Sequence, residues 1–432
     1  MRLIRLLKND LAKEVSEWEK SKIISQQQAV QICQQYDVDF HKIGDRSFGY
    51  HVLIALGYLF IGLAVITLLG ANWEEIPRGL RMSGLIALTM VTHVLAIKKY
   101  SQNQSILLFL LANLFYGASI ILIAQIYHLG EHMPDGVFWW ALGCLPIALI
   151  VRHPWVMLQS LGLALIWFFL EVGFGFYPTL FPLFILASIY VLYYGKQSIS
   201  LFFAVVVSIG LWFEYSLAYW WSERWYFDFH VEHAAVAVPL FILAYSVSNY
   251  LSQRDSAKAK DYGTVLSVWS LRFGLLVMLV MSFYDPWREL IQQTWQYLSS
   301  MYVIVGLLSL AALSVAWITG KLIPTLAMLS FYFVSLFAVI YIGDETAATV
   351  LQVLYNVALV VIGIGLIIQG MRHAITHYFF LGVLTILLTA LLRYFDLIGD
   401  YVGGAILFAV FAAILLGAAK FWKMNHAQGE AR

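Results

Sequence analysis

One short segment of this chain combines histidine and acidic residues at a spacing suited to catalysis or metal binding. His128, Glu131 and His132 follow the order H-x-x-E-H, in which two histidines on one helical face bind Zn²⁺ and the glutamate serves as the base. Gly130 and Pro134 argue against a continuous helix at this point, and the sequence shows no obvious third ligand. We therefore predict neither a metal centre nor a cofactor.

The same segment leaves a catalytic interpretation open. If the protein is an enzyme, His128 is the candidate general base, and Glu131 or Asp135 is its partner. The sequence contains no P-loop, dinucleotide-binding glycine turn or nucleophile elbow that would name a reaction.

A second set of polar residues is suited to bind an anionic group. Arg78 and Arg393 carry planar guanidinium groups, whose geometry matches a phosphate or a carboxylate. A structural interpretation is also open, in which Pro77 begins a helix, acidic residues pair with Arg78, and Arg393 forms an interfacial ion pair. The candidate substrate-binding residues are Asn72, Glu74, Glu75, Arg78, Gln125, Tyr127, His128, Arg393 and Asp396.

Further polar residues interrupt long apolar runs and are candidates for a solute pathway. Such groups are costly in hydrocarbon, so we expect them to face the interior of a bundle or water. For the amides, hydrogen bonding between helices is the alternative, and for Arg272 the alternative is snorkelling to the membrane surface if its helix starts later than residue 264. The pathway candidates are Asn113, Glu171, Glu214, Arg272 and Asn356. His230, Glu232 and His233 are interpreted as a surface cluster rather than a metal site.

The elements that must position these residues are apolar segments long enough to cross a bilayer. Apolar residues make up 61% of the 432 residues and charged residues 12%, a composition that excludes an ordinary soluble domain. We predict an all-α transmembrane bundle of about fourteen spans. They cover residues 51–71, 79–97, 105–126, 136–151, 154–172, 178–194, 198–218, 232–250, 264–283, 300–319, 322–342, 347–369, 373–392 and 400–421.

The charged residues divide the chain into three predicted regions: a helical head over 1–47, the bundle over 48–423 and a short tail over 424–432. In the head, Ser25 is the predicted N-cap of a helix that carries Ala29 and Cys33. Most of the 26 Lys and Arg residues fall on the side of the head and tail, which predicts that both termini are cytoplasmic. The net charge of +1 leaves no electrostatic footprint for nucleic acid.

Four parts of the chain form a further pattern: the head segment 18–25 with Gln28 and Tyr36, the hairpin 70–78, the stretch 125–129 with Asp135 and Trp140, and 393–396. Together they resemble a bacterial membrane family known as domain of unknown function 2157. The resemblance covers residues 10–150 well and 350–420 loosely, and it departs at 130–132, where the family usually continues with Ser-Gly-Asp. It implies a membrane fold and a bacterial inner-membrane location, but no reaction.

Three functions of different classes follow. The first is a transporter or flippase for a small or lipid-linked anionic substrate, because polar groups are spread through many spans and the loops are short. The second is an outward-facing enzyme acting on a lipid-linked envelope precursor. The third is a non-catalytic scaffold whose head binds a protein partner that the sequence does not identify; membrane lipids are expected neighbours in all three.

Overall fold

The computed structural model describes residues 15–35, 56–57, 60, 67, 77–100, 105–127, 132–222, 227–372, 375–396 and 409. These residues are almost entirely helical, and within them there is no β-strand. The chain divides into two compact units, residues 1–228 and 229–432.

Within the described residues of the first unit, seven helices have defined bounds, and residues 15–20, 56–57, 60 and 67 are also helical. Along the bundle, each helix packs against the next in the chain, and α5 also contacts α3 and α7. The helices are α1 Gln26–Gln35, α2 Arg78–Lys98, α3 Ser105–Tyr127, α4 Met133–Val151, α5 Pro154–Gly173, α6 Phe181–Tyr194 and α7 Ile199–Trp220.

The described part of the second unit contains seven further helices with defined bounds, and residue 409 is also helical. Its tightest pairs are α8 with α9, α8 with α11, and α13 with α14. The helices are α8 Val231–Gln253, α9 Ala257–Val280, α10 Tyr284–Gln292, α11 Leu298–Ile318, α12 Leu322–Phe337, which continues into the π-helical turn Ala338–Ile342, α13 Glu345–Arg372 and α14 Thr376–Asp396.

Helix α1 begins as the sequence predicts. Ser25 and Gln28 form a reciprocal cap: the Ser25 N–H donates to Gln28 Oε1 over 2.9 Å, and the Gln28 N–H donates to Ser25 Oγ over 3.3 Å. This arrangement satisfies two backbone donors at the start of α1. Ala29 and Cys33 of α1 are buried against Val15, so the described part of the head is a packed helix pair.

Eleven helices of the described residues are long and apolar enough to cross a membrane, and they match eleven of the fourteen predicted spans. The predicted span 178–194 forms a helix of only 14 residues, Phe181–Tyr194, about 21 Å long at 1.5 Å per residue. That length is below the thickness of about 30 Å of a bilayer core. The predicted spans 51–71 and 400–421 fall almost wholly outside the described residues.

Pro77 acts as predicted, because α2 begins at Arg78 directly after it. The prediction that no helix runs continuously up to Pro134 is also confirmed, because His132 has extended backbone geometry and α4 begins at Met133. In both cases the signal is local, since proline fits the first turn of a helix, where its missing N–H has no partner within the helix to lose.

Candidate functional site

A cluster of three ionisable side chains lies where α4 begins and α5 ends, at the end of these helices that is predicted to be outside the cytoplasm. His132 is the N-cap residue of α4 and has extended backbone geometry. Asp135 lies in the first turn of α4, and Glu171 lies near the end of α5. Helix α5 runs antiparallel to α4, so the start of one helix meets the end of the other.

Glu171 is the centre of the cluster, and both its carboxylate oxygens have partners. Oε2 lies 2.9 Å from Nε2 of His132, and Oε1 accepts a 2.8 Å hydrogen bond from Nε1 of Trp167. Glu171 is only 7% exposed. A carboxylate can remain buried when its oxygens accept hydrogen bonds in this way.

Asp135 completes the group from the exposed side. One ligand atom from each of His132, Asp135 and Glu171 lies within 4.8 Å of the other two. Asp135 is exposed, His132 is half-buried and Glu171 is buried. The cluster is thus closed on the side of α5 and open on the side of Asp135.

Aromatic rings form the walls of this site. The His132 ring lies edge-on to Phe176 and Phe174, with centroid distances of 4.9 and 5.8 Å. The Trp167 ring that binds Glu171 packs against Phe138 of α4 at 4.8 Å. Apolar walls lower the local dielectric constant, so charges and dipoles in the cluster interact more strongly than they would in water.

Asn113, a predicted pathway residue, lies in a separate polar network. Its Nδ2 donates to Oε1 of Gln159 over 2.9 Å, its Oδ1 lies 3.4 Å from Nε2 of His93, and its backbone oxygen accepts from Nε1 of Trp140 over 2.8 Å. Gln159 precedes Glu171 by twelve residues on α5, about 18 Å along the axis. The structure therefore supports the alternative of interhelical hydrogen bonding for Asn113.

The other predicted residues of the first unit do not join the cluster through any contact that the structure shows. Arg78 is exposed at the start of α2, and Gln125 is exposed near the end of α3. The Tyr127 hydroxyl donates to Sδ of Met82 over 3.5 Å, and Glu214 is half-buried in α7.

In the second unit, Asn356 and Arg393 each contact a residue just after the end of α9. Nδ2 of Asn356 donates over 2.8 Å to the backbone oxygens of Ser282 and Gln352, which joins α13 to the end of α9. The Arg393 guanidinium lies 4.3 Å from the ring centre of Phe283. This distance places a cation over an aromatic face near the end of α14.

Arg272 stands at a different depth in its helix from the predicted one. Helix α9 begins at Ala257, seven residues before the predicted start, so Arg272 is its sixteenth residue and lies about 22 Å from the first. The snorkelling alternative required α9 to start after residue 264, and its observed start at Ala257 contradicts that condition. Arg272 is exposed, and its guanidinium lies 5.4 Å from the ring of Trp269.

The interpretation of His230, Glu232 and His233 as a surface cluster is wrong for two of the three residues. Glu232 has no exposed surface and His233 is 8% exposed. Glu232 Oε1 accepts a 2.7 Å hydrogen bond from the backbone N–H of Tyr297, which is the N-cap of α11. Glu232 therefore caps a neighbouring helix, a role that depends on a residue 65 positions away.

Five sequence-predicted site residues, Asn72, Glu74, Glu75, His128 and Glu131, lie outside the described part of the chain, as does the side chain of Asp396. The sequence identified Asp135 and Glu171 but placed them in separate sets, and it paired His132 with His128. Trp167 was not identified. No local pattern connects Glu171 to a histidine 39 residues earlier, since the pairing depends on how α4 packs against α5.

Comparison with known families agrees with the resemblance found in the sequence. The model of a family described as predicted membrane protein, domain of unknown function 2157, matches residues 16–157. The matched region contains His132 and Asp135 and ends before Glu171. No curated protein and no solved structure matches the chain. The family match covers residues 16–157, and together with the apolar helices it indicates a multi-pass membrane protein.

Proposed function

We propose that this protein is a transporter or flippase of the bacterial inner membrane for a small or lipid-linked anionic substrate, with both termini in the cytoplasm. The observation that carries the proposal is the buried Glu171 carboxylate, bonded to His132 and Trp167 beside the exposed Asp135. Ionisable side chains between apolar helices are costly, and they commonly mark the path of a solute or ion.

The surroundings of Glu171 also support this proposal. The cluster is open at Asp135 and closed at Glu171, so a ligand can approach it from the predicted outer side. Arg78 is exposed at the start of α2, at the same predicted end of the first unit, and it offers a guanidinium for an anionic group.

Transport is tested with the full chain in liposomes and two defined probes, radiolabelled inorganic phosphate for a small anion and fluorescently labelled phosphatidylglycerol for an anionic lipid. We expect wild-type protein to move at least one probe faster than protein-free liposomes, and Glu171→Gln to remove that excess. Asp228→Asn alters an exposed acid and serves as the control, which should move the probe as fast as wild-type protein does. If wild-type protein moves neither probe, or Glu171→Gln is as fast as wild type, the proposal is wrong.

An enzyme acting on a lipid-linked precursor is the second candidate, and the contact between His132 and Glu171 favours it. A histidine oriented by a buried carboxylate is a common arrangement for a general base. In this version His132 takes the role that the sequence assigned to His128. Turnover of a lipid-linked pyrophosphate by wild-type protein, and its loss in His132→Gln, would select this function over transport.

A further inference from the structure

We propose that His132, Asp135 and Glu171 together bind one divalent transition-metal ion, with zinc as the reference member of the class. The binding itself is independent of the proposed function, whereas the role we give the ion rests on that function. The ion would use its remaining coordination position to hold an oxygen atom of the anionic substrate.

The donor set fits such an ion. One imidazole nitrogen and two carboxylate oxygens are ligands that zinc accepts, and sites with three protein ligands leave a fourth position for water or substrate. Two carboxylates also balance the charge of a divalent cation. Magnesium and calcium prefer sites built from oxygen alone, so the imidazole favours a transition metal.

The geometry requires only a small rearrangement. The His132 and Glu171 ligand atoms are already 2.9 Å apart, and tetrahedral zinc with bonds of about 2.0 Å holds its ligands roughly 3.3 Å apart. All three ligand atoms lie within 4.8 Å of one another, so the carboxylate of Asp135 has the farthest to move. Because that residue is exposed in the first turn of α4, its side chain can rotate toward the ion.

Binding replaces the bond between His132 and Glu171 and consumes no other reactant. Nε2 of a neutral imidazole offers its lone pair to the metal when the ring proton is on Nδ1, so the histidine changes tautomer. The Glu171 oxygen Oε2 becomes a metal ligand, while Oε1 keeps its bond from Trp167.

Trp167 provides the outer support that metal sites use. Its Nε1 donates to Oε1 of Glu171 over 2.8 Å, which fixes the carboxylate plane and leaves Oε2 directed at His132. Hydrogen bonds of this kind to metal ligands typically affect affinity by about 10- to 100-fold. The Phe174 and Phe176 rings beside His132 restrict its orientation further.

The direct test is metal binding by tag-free, full-length protein in detergent, first stripped with a chelator. We expect about one equivalent of Zn²⁺ per chain by elemental analysis, and Co²⁺ as a spectroscopic probe should give the absorption of a low-coordinate site. Asp135→Asn and Glu171→Gln should each lower Co²⁺ affinity at least about tenfold, and Trp167→Phe should lower it by about 10- to 100-fold. Asp228→Asn is the matched control and should bind as wild type does.

Asp135→Asn is the sharpest variant, because Asp135 is exposed and its replacement leaves the bond between His132 and Glu171 intact. Weaker Co²⁺ binding with unchanged thermal unfolding of the metal-free protein would support the site. Wild-type protein that binds no Co²⁺, or variants that bind as tightly as wild type, would overturn it. Metal binding without flux refutes the transport proposal alone, and flux that depends on Glu171 without metal binding refutes the metal site alone.

Discussion

Asn113 of α3 donates a 2.9 Å hydrogen bond from its side-chain amide to Oε1 of Gln159 on α5. Asn113 is 1% exposed, and Nε2 of Gln159 in turn donates to the Leu110 backbone oxygen over 3.1 Å. The two amides therefore connect α3 to α5 through residues that are 46 positions apart in the chain. In an apolar bundle such a pair fixes how two helices face each other, since each lost bond leaves a buried polar group.

Removing either amide should destabilise the first unit. We expect Asn113→Ala and Gln159→Ala each to lower the free energy of unfolding by about 1–3 kcal/mol, because one leaves the half-buried Gln159 and the other the buried Asn113 without that bond. In a double-mutant cycle, measured by denaturation in mixed micelles, the coupling should be about 0.6 kcal/mol and below about 1.7 kcal/mol. Strictly additive effects would show that the bond contributes nothing to stability.

The close contact between α13 and α14 should not tolerate a methyl group at Gly382. A Cβ built there would lie 2.5 Å from the backbone oxygen of Gly363, and a helix backbone cannot move aside as a side chain can. We expect Gly382→Ala to destabilise the second unit by about 1–3 kcal/mol, measured by thermal unfolding in detergent.

Gly365 of α13 is the matched control for this contact. A Cβ there meets nothing within 4 Å, so Gly365→Ala should be neutral or slightly stabilising through its effect on helix propensity. Equal destabilisation by the two substitutions would contradict the role of the contact between Gly363 and Gly382.

His153 should make stability depend on pH. It is the N-cap of α5, and its Nδ1 accepts a 3.4 Å hydrogen bond from the Trp155 N–H. Burial, with a smaller contribution from Lys196, lowers its pKa from 6.5 to about 4. Between these values the unfolded chain binds more protons than the folded chain, so this contribution to stability is present above pH 6.5 and is lost as the pH falls to about 4.

His153→Asn separates this effect from other titrations. Asparagine is a good N-cap and does not titrate in this range, so the variant should lose less stability than wild type between pH 7 and pH 4. Unfolding temperatures of the two proteins, compared at several pH values, measure the difference. If the unfolding temperatures of wild type and variant fall in parallel as the pH is lowered, the proposed contribution of His153 is contradicted.

Cys33 should report on the packing of the head. It is 1% exposed against Val15 and Ala29, and burial raises the pKa of its thiol, so little thiolate is available to react. Alkylation by iodoacetamide at pH 8, followed by mass spectrometry of the Cys33 peptide, should be at least about tenfold slower in native protein than in denatured protein. Val15→Asp, which disrupts the pair, should restore fast labelling, and equally fast labelling of native wild-type protein would contradict the packing.

Much of the helical framework is predictable from the sequence because its signals are local. Long apolar runs locate the eleven described helices that could cross a membrane, Pro77 locates the start of α2, and Ser25 with Gln28 locates the start of α1. Each of these depends on residues within one or two helical turns, where backbone hydrogen bonding and apolar length decide the outcome. The predicted start of α9, and with it the position of Arg272 within the helix, was wrong by seven residues, because α9 extends into a polar segment that a search for apolar runs leaves out.

The candidate site depends on packing that no local pattern encodes. The membrane-length helices are apolar on nearly every side, so the sequence does not show which face of α5 meets α4. The packing of α4 against α5 brings Glu171 to His132, the packing of α3 against α5 pairs Asn113 with Gln159, and the packing of α8 against α11 encloses Glu232. Composition therefore establishes a multi-pass helical protein. Tertiary packing decides which side chains meet across 39, 65 and 46 residues of chain, because contacts at such separations depend on how whole helices fit together.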